Sequence, residues 1–237
     1  MDTTGVETVT KLTKKSMNSG FLIRKPIVSP THFVNLGMQL KTRVKVGEVT
    51  NLSDARYCAG MGVEYIGFNL DIEGERAIDA TSFTAITQWL EGVTIVGEFK
   101  TSGAEHILET IEKHHLKCIE VSDVDLIGKL KASDVKVFLR LDETLSQSQI
   151  SAHCDQLIGK VEAFIIDSPL SWDSISALSS KYPIITSHNL GPDSLEENLS
   201  KSSLYGISLK GGDEERPGFK SFDELADILE LLEIDDY

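Results

Sequence analysis

The sequence predicts a closed barrel of eight parallel strands, each followed by a helix, behind an N-terminal extension. From Arg43 onward, short β-branched runs alternate eight times with longer stretches whose apolar residues recur at helical spacing. Repeated strand–helix units favour parallel strands joined by right-handed crossovers. The length of 237 residues is typical of one such barrel folding as a single domain.

The predicted strands are the short apolar runs. They cover residues 44–49, 65–70, 93–99, 118–121, 135–141, 163–167, 184–187 and 205–209. An open, doubly wound sheet is the competing architecture, but it requires a glycine-rich phosphate turn after the first strand. Residues 47–51 read Gly-Glu-Val-Thr-Asn, which is not that motif, so the closed barrel is favoured.

The predicted helices lie between these runs. They cover residues 53–61, 82–90, 104–114, 124–130, 145–158, 171–178, 194–199 and 221–232. Ser82 is the candidate N-cap of the second helix. Residues 1–40 are rich in Thr, Lys and Ser at their start and contain a short apolar stretch broken by Pro26. We expect an extension, partly disordered or packed on the barrel, and assign the barrel to residues 41–237.

Composition restricts the class of partner. The formal net charge of −14 repels nucleic acid and anionic lipid, so we expect no nucleic-acid or membrane partner. The sequence has an odd number of cysteines, Cys58, Cys118 and Cys154, and none forms a CxxC pair. We interpret them as core residues in a reduced, cytoplasmic protein. The pattern indicates no metal site and no cofactor. It is compatible with a monomer or a homodimer.

A barrel of this kind holds its site at the C-terminal ends of the strands. Polar residues therefore matter most where predicted strands end. These are Glu48, Thr50, Asn69, Arg76, Glu98, Lys100, Ser122, Asp123, Arg140, Asp142, Asp167, His188, Asn189, Lys210, Gly211 and Gly212.

Segments at both ends of the predicted barrel resemble one family. Residues 45–50 read Lys-Val-Gly-Glu-Val-Thr, similar to the Lys-Ile-Cys-Gly-Ile-Thr opening of phosphoribosylanthranilate isomerases. Residues 59–68 are similar to that family's Ala-Gly-Ala-Asp-x-Ile-Gly-Phe segment, and residues 205–212 and 217–220 resemble its last strand and its Pro-Gly-x-Lys helix entry. The resemblance spans about residues 43–234, in the same order and with compatible spacing.

The resemblance implies an aldose–ketose isomerase of tryptophan biosynthesis that acts on a phosphorylated aminosugar. In the family, a cysteine on the first strand is the base and an aspartate ending the sixth strand is the acid. The aspartate position falls on Asp167, and the arginine that follows the second strand in the family falls on Arg76. The cysteine position falls on Gly47, which has no side chain and cannot abstract a proton.

Other departures lie at the same end of the predicted barrel. The family's Gly-Gly-Thr-Gly phosphate loop has no counterpart after the sixth strand, and residues 187–190 read Ser-His-Asn-Leu where the family reads Ser-Gly-Gly-Leu. Ser208 and Lys210 replace the Asp and Ser of the eighth strand, and Glu120 and Ser122 replace the Gln and His of the fourth. This concentration of changes suggests an altered or lost activity on a retained scaffold.

The candidate catalytic residues are Asp167 as acid and Glu48 or His188 as substitute base. Strand alternation points the Glu48 side chain toward the helices unless the strand bends. The candidate anion site comprises Lys210, Gly211 and Gly212, with Arg76 and Asn189 as further contacts to a phosphorylated metabolite.

Three hypotheses remain open: a divergent isomerase, a non-catalytic barrel that binds a sugar phosphate or a protein partner, and a scaffold without ligand. If the rest of the site is intact, Gly47→Cys is expected to raise isomerase activity.

Overall fold

The structure is a computed structural model that describes residues 39–131, 133–188, 190–211, 214–216, 219–220 and 223–234. Its eight central strands are Val44–Gly47 (β1), Tyr65–Asn69 (β2), Thr94–Phe99 (β3), Cys118–Val121 (β4), Lys136–Leu141 (β5), Ala163–Ile166 (β6), Ile184–Thr186 (β7) and Gly206–Lys210 (β8). Each pairs in parallel with the next, and β8 pairs with β1. The predicted (β/α)₈ barrel is confirmed.

Eight helices follow these strands within the described residues. They are Leu52–Gly60 (α1), Ala80–Thr87 (α2), Ala104–His114 (α3), Leu126–Leu130 (α4), Gln147–Leu157 (α5), Trp172–Ser179 (α6), Pro192–Ser200 (α7) and Asp223–Leu231 (α8). A short antiparallel pair, Glu214–Arg216 (β9) and Phe219–Lys220 (β10), lies between β8 and α8 and was absent from the sequence-based prediction.

The N-cap predicted for α2 was wrong. Asp79, not Ser82, precedes the helix, and its carboxylate accepts the backbone N–H groups of Thr81 and Ser82 at 2.8 and 3.0 Å. A carboxylate at this position also interacts favourably with the helix dipole, so the helix begins at Ala80.

The core has two parts because barrel strands alternate their side chains between the lumen and the helices. The lumen layer is Tyr65, Val96, Cys118, Phe138, Ala163, Ile165 and Ile185, with Tyr205 packed against it. The larger part lies between the strands and the helices. Cys58, Cys118 and Cys154 are all buried with free thiols, as predicted.

The junction between the predicted extension and the predicted barrel contacts the segment that follows the last helix. Lys41 donates its backbone N–H to Leu232 O at 2.8 Å, and Ile234 donates to Gln39 O at 2.9 Å. The rest of the extension, residues 1–38, lies outside the described residues. No helix within the described ranges is long and apolar enough to span a bilayer.

Candidate functional site

A chain of ion pairs crosses the barrel lumen just above the apolar layer. The Lys45 ammonium contacts the carboxylates of Glu98 and Glu120, the latter at 2.7 Å. Arg140 continues the chain, with its Nε 2.5 Å from Glu120 and its Nη1 in contact with Asp167. Residues two apart on a strand share a face, so these side chains share the lumen with those of the layer below.

Burial and neighbouring charges set the pKa values of the side chains in this row of ion pairs. Burial by itself lowers the pKa of Lys45, but the carboxylates of Glu120 and Glu98 more than offset it, so that pKa is raised. Burial raises the pKa of Glu120, whereas Arg140 and Lys45 overcome this and lower it to about 2. Glu98 accepts from Lys45 through one carboxylate oxygen and from Glu48 N–H, at 2.9 Å, through the other.

Acid is therefore expected to destabilise the barrel through Glu120. A pKa depressed from 4.5 to about 2 on folding contributes stability above pH 4.5 that is lost as the pH falls toward 2. The contribution is on the order of 3 kcal/mol. Denaturant unfolding of wild type and Glu120→Gln should show a difference in free energy that is constant near neutral pH and shrinks below pH 4.5. A difference that persists unchanged to about pH 2 would contradict this assignment.

Gly47 is one of two glycines that make room for these ion pairs. A Cβ on Gly47 would lie 2.5 Å from Glu98 Oε1 and 2.9 Å from Lys45 Nζ, closer than real Cβ contacts. A Cβ on the neighbouring Gly67 would overlap the same carboxylate. The space that a side chain at position 47 requires is therefore occupied by the Lys45–Glu98 pair.

Glu48 departs from strand alternation because β1 ends at Gly47. Its φ of 56° is left-handed, a conformation that glycine adopts without strain. The Glu48 carboxylate contacts Lys100 and lies 3.6 Å from the Nε of Arg76. Burial raises the pKa of Glu48, but Lys100, Lys210 and Arg76 together lower it by more, which makes this carboxylate a weaker base.

Arg76 holds the loops after β1 and β8 together. Its guanidinium donates to Glu48 O at 2.7 Å and to Gly211 O at 3.1 Å. The Gly211 N–H donates to Gly47 O at 2.8 Å, so this amide is used in barrel closure instead of facing a phosphate. The loop after β2 positions Arg76. In this loop the buried Asp71 carboxylate accepts hydrogen bonds from the backbone N–H groups of Lys100 and Ser102, which follow β3.

A cavity of about 660 Å³ opens beside this cluster, at the C-terminal ends of β6, β7 and β8. Asp167 and Lys210 both line it. Asp167 also accepts the hydroxyl of Ser187, a second lining residue. The structure thus brings two of the predicted site residues to one pocket.

The other predicted residues are placed differently. Glu48, Arg76 and Gly211 form the neighbouring cluster over β1. His188 is half-buried, and its backbone N lies 3.4 Å from Thr186 Oγ1. It is not among the described residues that line the cavity. Asn189 and Gly212 lie outside the described residues.

Sequence reasoning missed Lys45, because it considered only residues at strand ends. The signal was available: Lys45 lies two positions before Gly47 on the same strand, so both face the lumen. Glu98 and Arg140 were recognised as polar residues at strand ends. Their ion pairs, with Lys45 and Glu120 respectively, form only when the closed barrel brings β1, β3, β4 and β5 together.

Sequence comparison finds named relatives, although no family model matches the chain. The N-(5'-phosphoribosyl)anthranilate isomerase of Gloeothece citriformis is 24% identical over 80% of this chain and 93% of its own length. The enzyme of that name from Myxococcus xanthus is 24% identical over 76% of this chain and 91% of its own length. The predicted resemblance is confirmed.

Solved structures show the same fold. The phosphoribosylanthranilate isomerase of Thermotoga maritima matches with a TM-score of 0.67 at 19% identity, covering 81% of this chain and 98% of that one. The protein from Thermus thermophilus matches with a TM-score of 0.64 at 22% identity and the same coverage. Another such isomerase, with a TM-score of 0.67 at 20% identity over 81% of this chain and 98% of its own, was solved with reduced 1-(o-carboxyphenylamino)-1-deoxyribulose 5-phosphate.

Proposed function

Because this chain is related to the phosphoribosylanthranilate isomerases, we propose that it is a barrel of their type that binds a sugar phosphate without isomerising it. The observation that carries this proposal is the filled space over Gly47. The isomerisation needs a base on β1, and here a buried Lys45–Glu98 ion pair occupies the space where its side chain would begin.

The acid position supports the same conclusion. Asp167 accepts from the Arg140 guanidinium and from the Ser187 hydroxyl. Each carboxylate oxygen of Asp167 is thus engaged by a side chain of the protein itself. A sugar ring oxygen that approaches Asp167 therefore has to compete with Arg140 and Ser187 for the carboxylate oxygens.

The cavity suits a ligand with hydroxyl donors and an anionic end. Lys210 supplies a positive charge, and Gly191 and Pro192 place the N-terminus of α7 in the cavity wall. A helix N-terminus and an ammonium together favour a phosphate. The carboxylates of Glu143 and Asp227 also line the cavity and can accept hydrogen bonds from ligand hydroxyls. A volume of about 660 Å³ is within the range of metabolite pockets.

Lys210→Ala is expected to weaken the binding of ribose 5-phosphate at least about tenfold, since a charge-assisted hydrogen bond contributes about 1.5–3 kcal/mol. Isothermal titration calorimetry on the full-length protein measures this affinity directly. Unphosphorylated ribose is expected not to bind. Lys181→Ala is the matched control because Lys181 is exposed on the far end of the barrel, after α6. Equal binding by wild type and Lys210→Ala, or no binding by either, would overturn the proposal.

The alternative function is an isomerase in which Asp167 is the acid and Glu48 or His188 replaces the base. It predicts turnover that Asp167→Asn abolishes. A barrel that binds a protein partner instead predicts no stabilisation by any sugar phosphate. Thermal unfolding with and without ribose 5-phosphate separates this last case from the proposal, because a bound ligand stabilises the folded state.

A further inference from the structure

The loops at the mouth of the barrel gather cations around the carboxylate of Glu48. This carboxylate contacts the Lys100 ammonium and lies 3.6 Å from the Nε of Arg76. Lys210 is the third cation, because it ends β8 directly opposite Gly47 of β1, and its charge contributes to the lowered pKa of Glu48. One carboxylate of the protein therefore occupies a place that is suited to an anion.

The backbone that carries this carboxylate is strained. Glu48 has a φ of 56° and Arg76 a φ of 63°, in the left-handed region that favours glycine. The two residues are joined directly, since the Arg76 guanidinium donates to Glu48 O at 2.7 Å. Strain of this kind persists only where surrounding contacts hold it, and it is concentrated at functional sites. The contacts that offset it here are those that place the Glu48 carboxylate among the cations.

The cationic cluster adjoins the proposed phosphate site through Lys210. Lys210 lines the cavity of about 660 Å³ at the ends of β6, β7 and β8, whereas Glu48 is not among its described lining residues. None of the described ion pairs involves Lys210, and a lysine ammonium on its flexible stem can turn toward either of two anions. Lys210 is thus shared between the cavity and Glu48.

We propose that the Glu48 carboxylate competes with the phosphate of the ligand for Lys210 and so limits the affinity of the cavity. A phosphate at Lys210 binds in the field of this carboxylate, and the ammonium that it contacts is also attracted toward Glu48. The inference rests on the proposed function, since it assigns a further residue that determines affinity at the same site.

A purely structural role for Glu48 makes a different prediction. A carboxylate that only ties the loops after β1 and β3 together would affect the free energy of unfolding and leave the affinity for phosphate unchanged. Affinity is therefore the measurement that separates the two roles.

Isothermal titration calorimetry with ribose 5-phosphate on the full-length protein tests the competition. We expect Glu48→Gln to bind about three- to tenfold more tightly than wild type, because a like charge near the phosphate is removed. Glycine adopts the left-handed backbone of this position without strain, so Glu48→Gly is the second variant and is expected to show the same gain. It keeps the test informative if Glu48→Gln fails to fold.

Glu64→Gln is the matched control. It makes the same chemical change and the same change in net charge, but Glu64 precedes β2 at the other end of the barrel, where it lies 3.3 Å from the Nε of Arg43. Its affinity for ribose 5-phosphate is expected to stay within about twofold of wild type, since salt screens distant surface charges.

A double variant connects the effect to the shared ammonium. In a Lys210→Ala background, Glu48→Gln is expected to give little or no gain in affinity, because the two anions no longer compete for that cation. A gain that persists there in full would overturn the competition.

The results separate this inference from the proposed function. Unchanged or weaker binding by both Glu48 variants, with affinity lost in Lys210→Ala, would overturn the inference and leave the proposed function standing. An equal gain in Glu64→Gln would also overturn it, because net charge alone would then explain the effect. Absence of binding by wild type and by all these variants would overturn both.

Discussion

Lys45→Met is expected to lower the free energy of unfolding by about 3–5 kcal/mol, because it leaves Glu98 and Glu120 buried without their shared cation. The Lys45 side chain is 0% exposed, so water cannot replace the lost ammonium. Urea unfolding near neutral pH measures the change. Lys45→Met with Glu98→Gln is expected to recover part of the loss, since the double variant removes both charges.

Lys136→Met is the matched control for this prediction. Its ammonium lies 2.8 Å from Glu162, but the two side chains are 56 and 29% exposed. An ion pair with that exposure contributes at most about 1 kcal/mol. If Lys45→Met destabilises the protein no more than Lys136→Met does, the ion pairs across the barrel lumen do not form the buried network described above.

Gly47→Cys is expected to lower the free energy of unfolding by about 1–3 kcal/mol and to give no isomerase activity. The sequence-based expectation that this substitution raises activity depended on an empty space over Gly47. The new Cβ would instead lie 2.5 Å from Glu98 Oε1, so the ion pair must be displaced before a thiol can enter. Unfolding and turnover assays of the same preparation test both parts.

Gly128→Ala is the control glycine, because it lies within α4 and a Cβ added there meets no atom within 4 Å. It is expected to be neutral or to stabilise the protein by up to about 1 kcal/mol. Gly47→Ala adds the same Cβ and is expected to destabilise the protein for the same reason, and in a Glu98→Ala background it should lose most of that effect. Additive effects of these two substitutions would show that the glycine and the carboxylate do not compete for space.

The fold could be predicted from sequence because its signals are local. Every observed barrel strand falls within or beside an apolar run, and eight strand–helix units leave few alternatives to a closed barrel. The β9–β10 pair was missed because residues 214–220 form a short, mostly polar segment without the alternation of polar and apolar residues that marks a strand. The cap of α2 was misplaced because Asp79 and Ser82 are both good N-cap residues.

The site was predictable only in part. Asp167 and Lys210 share a pocket, as expected of residues at the C-terminal ends of two barrel strands that are separated only by β7. The position of Glu48 depends on one left-handed residue, which alternation cannot reveal. The filled lumen depends on side chains from four strands that converge only after the barrel closes. The sequence alone therefore showed a glycine where the resembled family has a cysteine, and not that Lys45 and Glu98 occupy the space beside it.

Turnover of phosphoribosylanthranilate by the purified full chain tests the central claim most directly. Glycine at position 47 has no group that could act as a base, and the oxygens of Asp167 are engaged by Arg140 and Ser187. Product formation is therefore expected to stay at the uncatalysed rate in wild type and in Asp167→Asn alike. Turnover above that rate, abolished by Asp167→Asn, would contradict the claim and establish the barrel as an isomerase.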